Sequence, residues 1–205
     1  MNQIINKKST KIAEIVSDIF NPGILAIIIL LVAIYKSNMP INVSICWYIG
    51  VLVLNGVIPG MIYLFFTHKG YVFDDTLHND DVHKERVVIY GIFLALTTIE
   101  LLIMISARHY YQPLLATFVG GIGAIIIGGI VSYFWKVSMH SSMITFFVLM
   151  IVLMFGPAWW PAIFLIPLIW WSRLVLYRHT IWQLLVGMIL SIMVAFGTFW
   201  FFGLI

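Results

Sequence analysis

Two histidines and an arginine carry most of the reactive capacity of this chain. Ser172-Arg173-Leu174-Val175-Leu176-Tyr177-Arg178-His179 reads SRxxxxxH. Lys136-Val137-Ser138-Met139-His140 ends in Ser-x-His at the head of an apolar run, 39 residues before His179. An imidazole can act as a nucleophile or as a general acid and base. A guanidinium is a planar, always charged fork that suits the oxygens of a phosphomonoester. Backbone amides at a helix N-terminus add donors for the same oxygens. This residue set suits chemistry on a phosphate-like anion. Arg173 and Arg178 equally suit snorkelling to lipid headgroups.

The elements that must position these residues are membrane helices. Of 205 residues, 62% are hydrophobic and only 9% charged, against roughly 25% charged in ordinary globular chains. A bilayer-spanning helix takes about 20 apolar residues, so six or seven such helices use most of the chain. This excludes a disordered protein, a disulfide scaffold and a sizeable soluble domain. A net charge of +3 with 11 scattered basic residues makes a nucleic-acid partner improbable. The single Cys46 forms no intrachain disulfide. The N-terminal stretch is too polar for a cleavable signal peptide.

The fold class expected is all-α: a polytopic transmembrane bundle of six to seven spans, preceded by an N-terminal interfacial helix. Residues 1–19 form the interfacial segment, with Ile12, Ile15, Val16 and Ile19 at helical spacing and Lys7, Lys8 and Lys11 for charge. Residues 20–205 form one transmembrane domain. The first span starts at Asn21-Pro22-Gly23, because Pro suits a first helical turn. The second ends near Phe66, the third runs Val87–Ala107, and the fourth Pro113–Trp135. Ser141–Ser172 as one helix would be about 48 Å long, well over the ~30 Å hydrocarbon core. Gly156-Pro157 divides it into Ser141–Phe155 and Trp159–Trp171, with Trp159-Trp160 and Trp170-Trp171 as interface anchors. Ile181–Ile205 is the last span.

Parity then gathers the polar residues. His68–Arg86, Lys136–His140 and Arg173–His179 follow the second, fourth and sixth spans, so all three stretches face the compartment of the N-terminus. Nine of the eleven basic residues fall on that side, leaving Lys36 and Arg108 opposite. The positive-inside rule makes it the cytoplasm. Gly120, Ala124 and Gly128 put a small-residue stripe on the fourth span, a packing signal. Glu100, about 20 Å along the third helix from Arg86, is expected to be either protonated or hydrogen-bonded to Thr or Tyr on a neighbour. The loop Asp74-Asp75-Thr76-Leu77-His78-Asn79-Asp80-Asp81-Val82-His83 reads as a solvated acidic loop, or as carboxylates pairing with Lys84, Arg86 and Lys136.

The two histidine stretches resemble the type 2 phosphatidic acid phosphatase superfamily, whose usual motifs are KxxxxxxRP, PSGH and SRxxxxxHxxxD. The resemblance covers roughly Asn79 to Gly187. It implies His179 as nucleophile and His140 as general acid. It also implies that Arg173, Ser138 and the amides of Met139 and His140 hold the phosphoryl group. Lys136 adds positive charge, and Lys84 and Arg86 stand in for a first motif that lacks its Lys-to-Arg spacing and its Pro. Gln183 occupies the place of the usual Asp. It can accept the same hydrogen bond and fix the imidazole tautomer, but adds no charge.

The function implied is an integral-membrane lipid phosphatase working through a phospho-histidine. Its partners are the bilayer and a membrane lipid phosphate: phosphatidic acid, phosphatidylglycerol phosphate or a polyprenyl diphosphate. No metal or other cofactor is called for. The alternatives are a non-catalytic lipid-phosphate binding or transport protein on the same fold, and a Mg²⁺-dependent prenyl transferase using the acidic loop. The site is expected on the cytoplasmic face of the cell membrane. In a Cys46→Ser background, Ile5→Cys and Asp75→Cys are expected to react with an impermeant maleimide only from the cytoplasmic side. Labelling from outside the cell overturns this topology.

Overall fold

The structure is a computed structural model that describes residues 7–69 and 82–205, the side chains of 82–87 excepted. All described secondary structure is helical: α1 (Lys7–Ile19), α2 (Pro22–Lys36), α3 (Ile41–Leu52), α4 (Ile58–His68), α5 (Val82–Ser106), α6 (Gln112–Phe134), α7 (Met139–Phe155), α8 (Leu165–Val175) and α9 (Ile181–Phe201). Six helical stretches among the described residues are long and apolar enough to cross a membrane, and α7 adds a shorter one of 17 residues. The all-α polytopic bundle expected from composition is the architecture observed.

Proline and glycine decide where the helices break. Asn21 caps α2, its side chain accepting from the Gly23 N–H at 2.9 Å, and Pro22 takes the first turn. α1 therefore stops short of α2 and can take its own direction. Pro59 has no N–H for the Asn55 carbonyl, and its ring crowds that carbonyl. The chain answers with a π-helical turn over Val53–Val57 between α3 and α4. At Gly156 φ is +90°, a conformation that L side chains rarely adopt, and α7 ends there. Pro157–Phe164 follows as a 3-10 helix leading into α8. The pair covers about 32 Å at 2.0 and 1.5 Å per residue, enough to cross. The division at Gly156-Pro157 matches the sequence reading, though the second piece runs from Pro157 to Val175 rather than Trp159 to Trp171.

Three apolar clusters join the helices. Ile34, Trp47, Met104, Leu114 and Phe118 tie α2, α3, α5 and α6. Ala116, Phe146, Met150, Ala195 and Phe199 tie α6, α7 and α9. Leu25, Ile144, Val148 and Ile169 tie α2, α7 and α8. The small-residue stripe of α6 serves two partners. A Cβ on Gly120 would meet Thr198 of α9 at 3.2 Å, and one on Gly128 would meet Tyr90 of α5 at the same distance.

Two expectations need correction. The Trp170 indole N–H is not directed at a headgroup: it donates to Ser141 Oγ at 2.8 Å, pinning α8 to α7. Glu100 is fully buried, and its partner is neither Thr nor Tyr. Asn55 Nδ2, in the π turn, donates to Glu100 Oε1 at 2.7 Å. The bond joins α5 to the continuous helical span that α3, the π turn and α4 form, where either group alone would lose its water with nothing in exchange.

The closest approach lies between α7 and α9. A Cβ on Gly187 would meet the Ser138 carbonyl oxygen at 2.8 Å and Ser142 Oγ at 2.9 Å. Gly187→Ala is expected to force the two helix starts apart and cost about 1–3 kcal/mol, read as a lower unfolding temperature in detergent. Unchanged stability overturns the close approach.

Candidate active site

His179 is placed by the way α8 ends. Tyr177 adopts φ +51°. The Arg178 N–H then bonds the Arg173 carbonyl at 3.0 Å, and the Tyr177 N–H bonds the Leu174 carbonyl at 3.1 Å. This is a Schellman stop. It folds the chain back so that His179 follows Arg173 within one tight turn. The spacing SRxxxxxH is thus the length of one helix end plus its reversal.

α9 starts immediately afterwards with a capping box. The Thr180 hydroxyl accepts from the Gln183 N–H at 3.4 Å, and Gln183 Oε1 accepts from the Thr180 N–H at 3.0 Å. The same Oε1 lies 3.2 Å from His179 Nδ1. Because the Thr180 N–H can only donate, the atom facing Nδ1 is the amide oxygen. Nδ1 must then carry the hydrogen, which leaves the lone pair of the imidazole on Nε2. Gln183 is the third residue of α9, so one side chain both caps the helix and sets the tautomer.

His140 belongs to the first turn of α7. Ser138 is its N-cap, with Oγ accepting from the Ser141 N–H at 3.4 Å. The start of α7 is tied to the start of α9 by four bonds. The Ser138 N–H donates to the Gln183 carbonyl at 3.3 Å, and Ser141 Oγ to the Leu184 carbonyl at 2.7 Å. Ser142 Oγ lies 3.1 Å from the Gly187 carbonyl, and Ser191 Oγ returns a bond to the Ser142 carbonyl at 2.8 Å. Two helix N-termini are thereby held side by side, each next to one histidine.

Arg173 and His140 meet through a residue that sequence reasoning did not single out. Ser17 of α1 accepts from Arg173 Nη1 at 2.8 Å, and its Oγ lies 3.3 Å from His140 Nε2. Ser172 Oγ holds α1 in place by donating to the Ala13 carbonyl at 2.9 Å. Ala13 and Ser17 are one helical turn apart and form the buried face of α1. No motif marks Ser17; the only signal was the spacing of small residues on the face opposite Ile12, Ile15 and Ile19. Thr180 was legible, since Thr-x-x-Gln ahead of an apolar run is a capping-box pattern.

Arg173, Ser138, Met139, His140, His179 and Gln183 thus come from adjoining helix ends. Lys136 is half-buried two residues before the α7 cap. The side chains of Lys84 and Arg86, and residues 74–81 of the acidic loop, lie outside the described residues; Val82 and His83 fall in the first turn of α5 rather than in a loop. Among the described residues no three His, Cys, Asp or Glu side chains gather as a metal set. Beside the site is an apolar cavity of about 160 Å³. Met139 and Ser142 line it next to His140, and Asn55, Thr97, Gly121 and Gly128 line its other walls.

Residues 129–204 match a family model, and this segment contains the end of α6, all of α7 to α9, both histidines, Arg173 and Gln183. The matching model is that of the PAP2 superfamily. Phosphatase-type chemistry is characteristic of that superfamily, and both histidine stretches inside the match fall on helix ends that the fold joins. The PAP2 match stops short of α1 to α5, so Ser17 and Glu100 lie outside it. No curated protein and no solved structure matches the chain.

Gln183→Leu removes the cap partner and the Nδ1 acceptor together. It is expected to cost about 1 kcal/mol of stability and to turn the fixed Nδ1–H form of His179 into a tautomer mixture in ¹⁵N spectra of histidine-labelled protein. An unchanged His179 signal overturns the assignment of Gln183.

Proposed function

We propose that the protein is an integral-membrane lipid phosphatase that acts on a phosphomonoester or diphosphate of a lipid. The observation that carries this reading is the His179–Gln183 contact, which turns Nε2 of a buried histidine into the candidate nucleophilic atom. In the first step Nε2 attacks phosphorus and the bond from phosphorus to the leaving oxygen breaks. His140 supplies the proton that the leaving alcohol or phosphate needs. In the second step His140 takes a proton from water, and the resulting attack releases phosphate and restores His179. Arg173, Ser138, Lys136 and the first amides of α7 hold the equatorial oxygens, where positioning and charge do most of the work. Lys84 and Arg86 are proposed to add charge from the start of α5.

The apolar cavity supports a lipid rather than a soluble ester. Its walls begin one residue from His140, so a phosphate held at the histidines places the attached chain against apolar surface. Candidate lipids are phosphatidic acid, phosphatidylglycerol phosphate and polyprenyl diphosphates. The site is proposed to face the cytoplasm, following the distribution of basic residues.

Gln183 favours a second reading, a lipid-phosphate binding protein without turnover. A neutral amide orients the imidazole but does not stabilise it when charged. The deciding experiment is release of inorganic phosphate from a panel of lipid phosphates by purified protein, with and without EDTA. Release is expected in both conditions, with His179→Ala at background and His140→Ala slower by about 10²–10⁴-fold. Undiminished release by His179→Ala overturns the nucleophile, binding without release supports the second reading, and loss of activity in EDTA points to Mg²⁺-dependent chemistry.

A further inference from the structure

Arg173, His179 and Ser138 form the buried part of the proposed phosphate site, and α1 packs against it through Ser17. Arg173 and His179 are each 4% exposed, Ser138 is 0% and Ser17 is 5% exposed. A lipid phosphate cannot reach residues this buried without something moving. We infer that α1 is a lid over the site and that the Ser17 hydroxyl occupies the position of a phosphoryl oxygen, to be displaced when the lipid phosphate binds. This inference rests on the phosphatase reading above.

The atoms argue for displacement. One hydroxyl oxygen is within hydrogen-bond distance of both Arg173 Nη1 and His140 Nε2, at 2.8 and 3.3 Å. Those are the groups assigned to hold the phosphoryl oxygens and to protonate the leaving oxygen. While Ser17 is in place, His140 Nε2 is directed at the serine and not at a substrate. A serine hydroxyl is neutral, whereas a phosphate oxygen is anionic and forms charge-assisted bonds to arginine that are roughly twice as strong. The substrate can therefore win the exchange.

The build of α1 suits such a movement. Its described contacts with the bundle include Ser17 to Arg173 and His140, Ser172 to the Ala13 carbonyl, and apolar contact of Val16 and Phe20 with the cluster around Ile144 and Ile169. Asn21-Pro22 separates it from α2, which stays packed in the core. Ile12, Ile15 and Ile19 are exposed along one face, with Lys7, Lys8 and Lys11 also exposed. That composition lets α1 slide in the headgroup layer without carrying apolar surface into water.

The test uses orthovanadate as a phosphate mimic and the full-length protein. Ser17→Ala is expected to bind vanadate about tenfold more tightly than the parent, because no hydroxyl competes for Arg173 and His140. Ser17→Thr, which keeps the hydroxyl, is expected to stay within about twofold of the parent and serves as the folding control. In a Cys46→Ser background, vanadate is expected to speed maleimide labelling of Val16→Cys several-fold as α1 lifts. Weaker vanadate binding by Ser17→Ala makes Ser17 an anion ligand and overturns the lid. Vanadate binding without faster labelling at position 16 also overturns it, leaving the phosphatase reading intact. Absence of vanadate binding in every chain overturns both.

Discussion

The structure depends on the tie between the first turns of α7 and α9. In a bilayer no water is at hand to satisfy a stray hydroxyl or carbonyl, so polar groups at this depth must find each other. Ser141, Ser142 and Ser191 do so across the helix pair, bonding the Leu184, Gly187 and Ser142 carbonyls. They can reach only because Gly187 has no side chain. Small residues and interhelical serine bonds are the usual means of close helix packing in lipid. Here the tie has a chemical consequence. It sets the α7 N-terminus, which carries His140, beside the α9 N-terminus, which carries Gln183 and orients His179.

The remaining parts of the site are attached to that frame by local chain geometry. The Schellman stop of α8 ends the helix after Arg173 and reverses the chain just before His179. The indole of Trp170 fastens α8 to Ser141 of the same tie. α1 is different in kind. It meets Arg173 and His140 through the Ser17 hydroxyl and leaves Ile12, Ile15 and Ile19 exposed on its other face. A fixed frame with a movable cover fits the proposed reaction, which must first admit a lipid phosphate and then let water reach the phospho-histidine.

Much of the fold was legible in the residues. The scarcity of charge set the number of helices, and Pro22 and Gly156-Pro157 set two of the breaks, because those residues constrain the backbone wherever they occur. The helix-end placement of His140 and His179 followed from their positions just ahead of apolar runs. The partner of Glu100 did not follow. It depends on a π turn that brings Asn55 round to face α5, and hydropathy does not register one extra residue in a turn. Trp170 was misjudged for a related reason. A tryptophan pair at a span end favours the interface on average, but one of the two found an inward acceptor.

By itself, the sequence determined the class of molecule, the approximate helix boundaries and the kind of group that His140, Arg173 and His179 could handle. These are properties of composition, of local backbone preference and of side-chain chemistry, which need no distant contact. Tertiary structure alone decided that Gln183 fixes the tautomer of His179 while capping α9, and that Ser17 stands between Arg173 and His140. Ser17 is 156 residues from Arg173 and 123 from His140 in the chain. No local pattern encodes such a meeting. It arises because α1 packs on α8, α8 is pinned to α7, and α7 can approach α9 only where Gly187 leaves room.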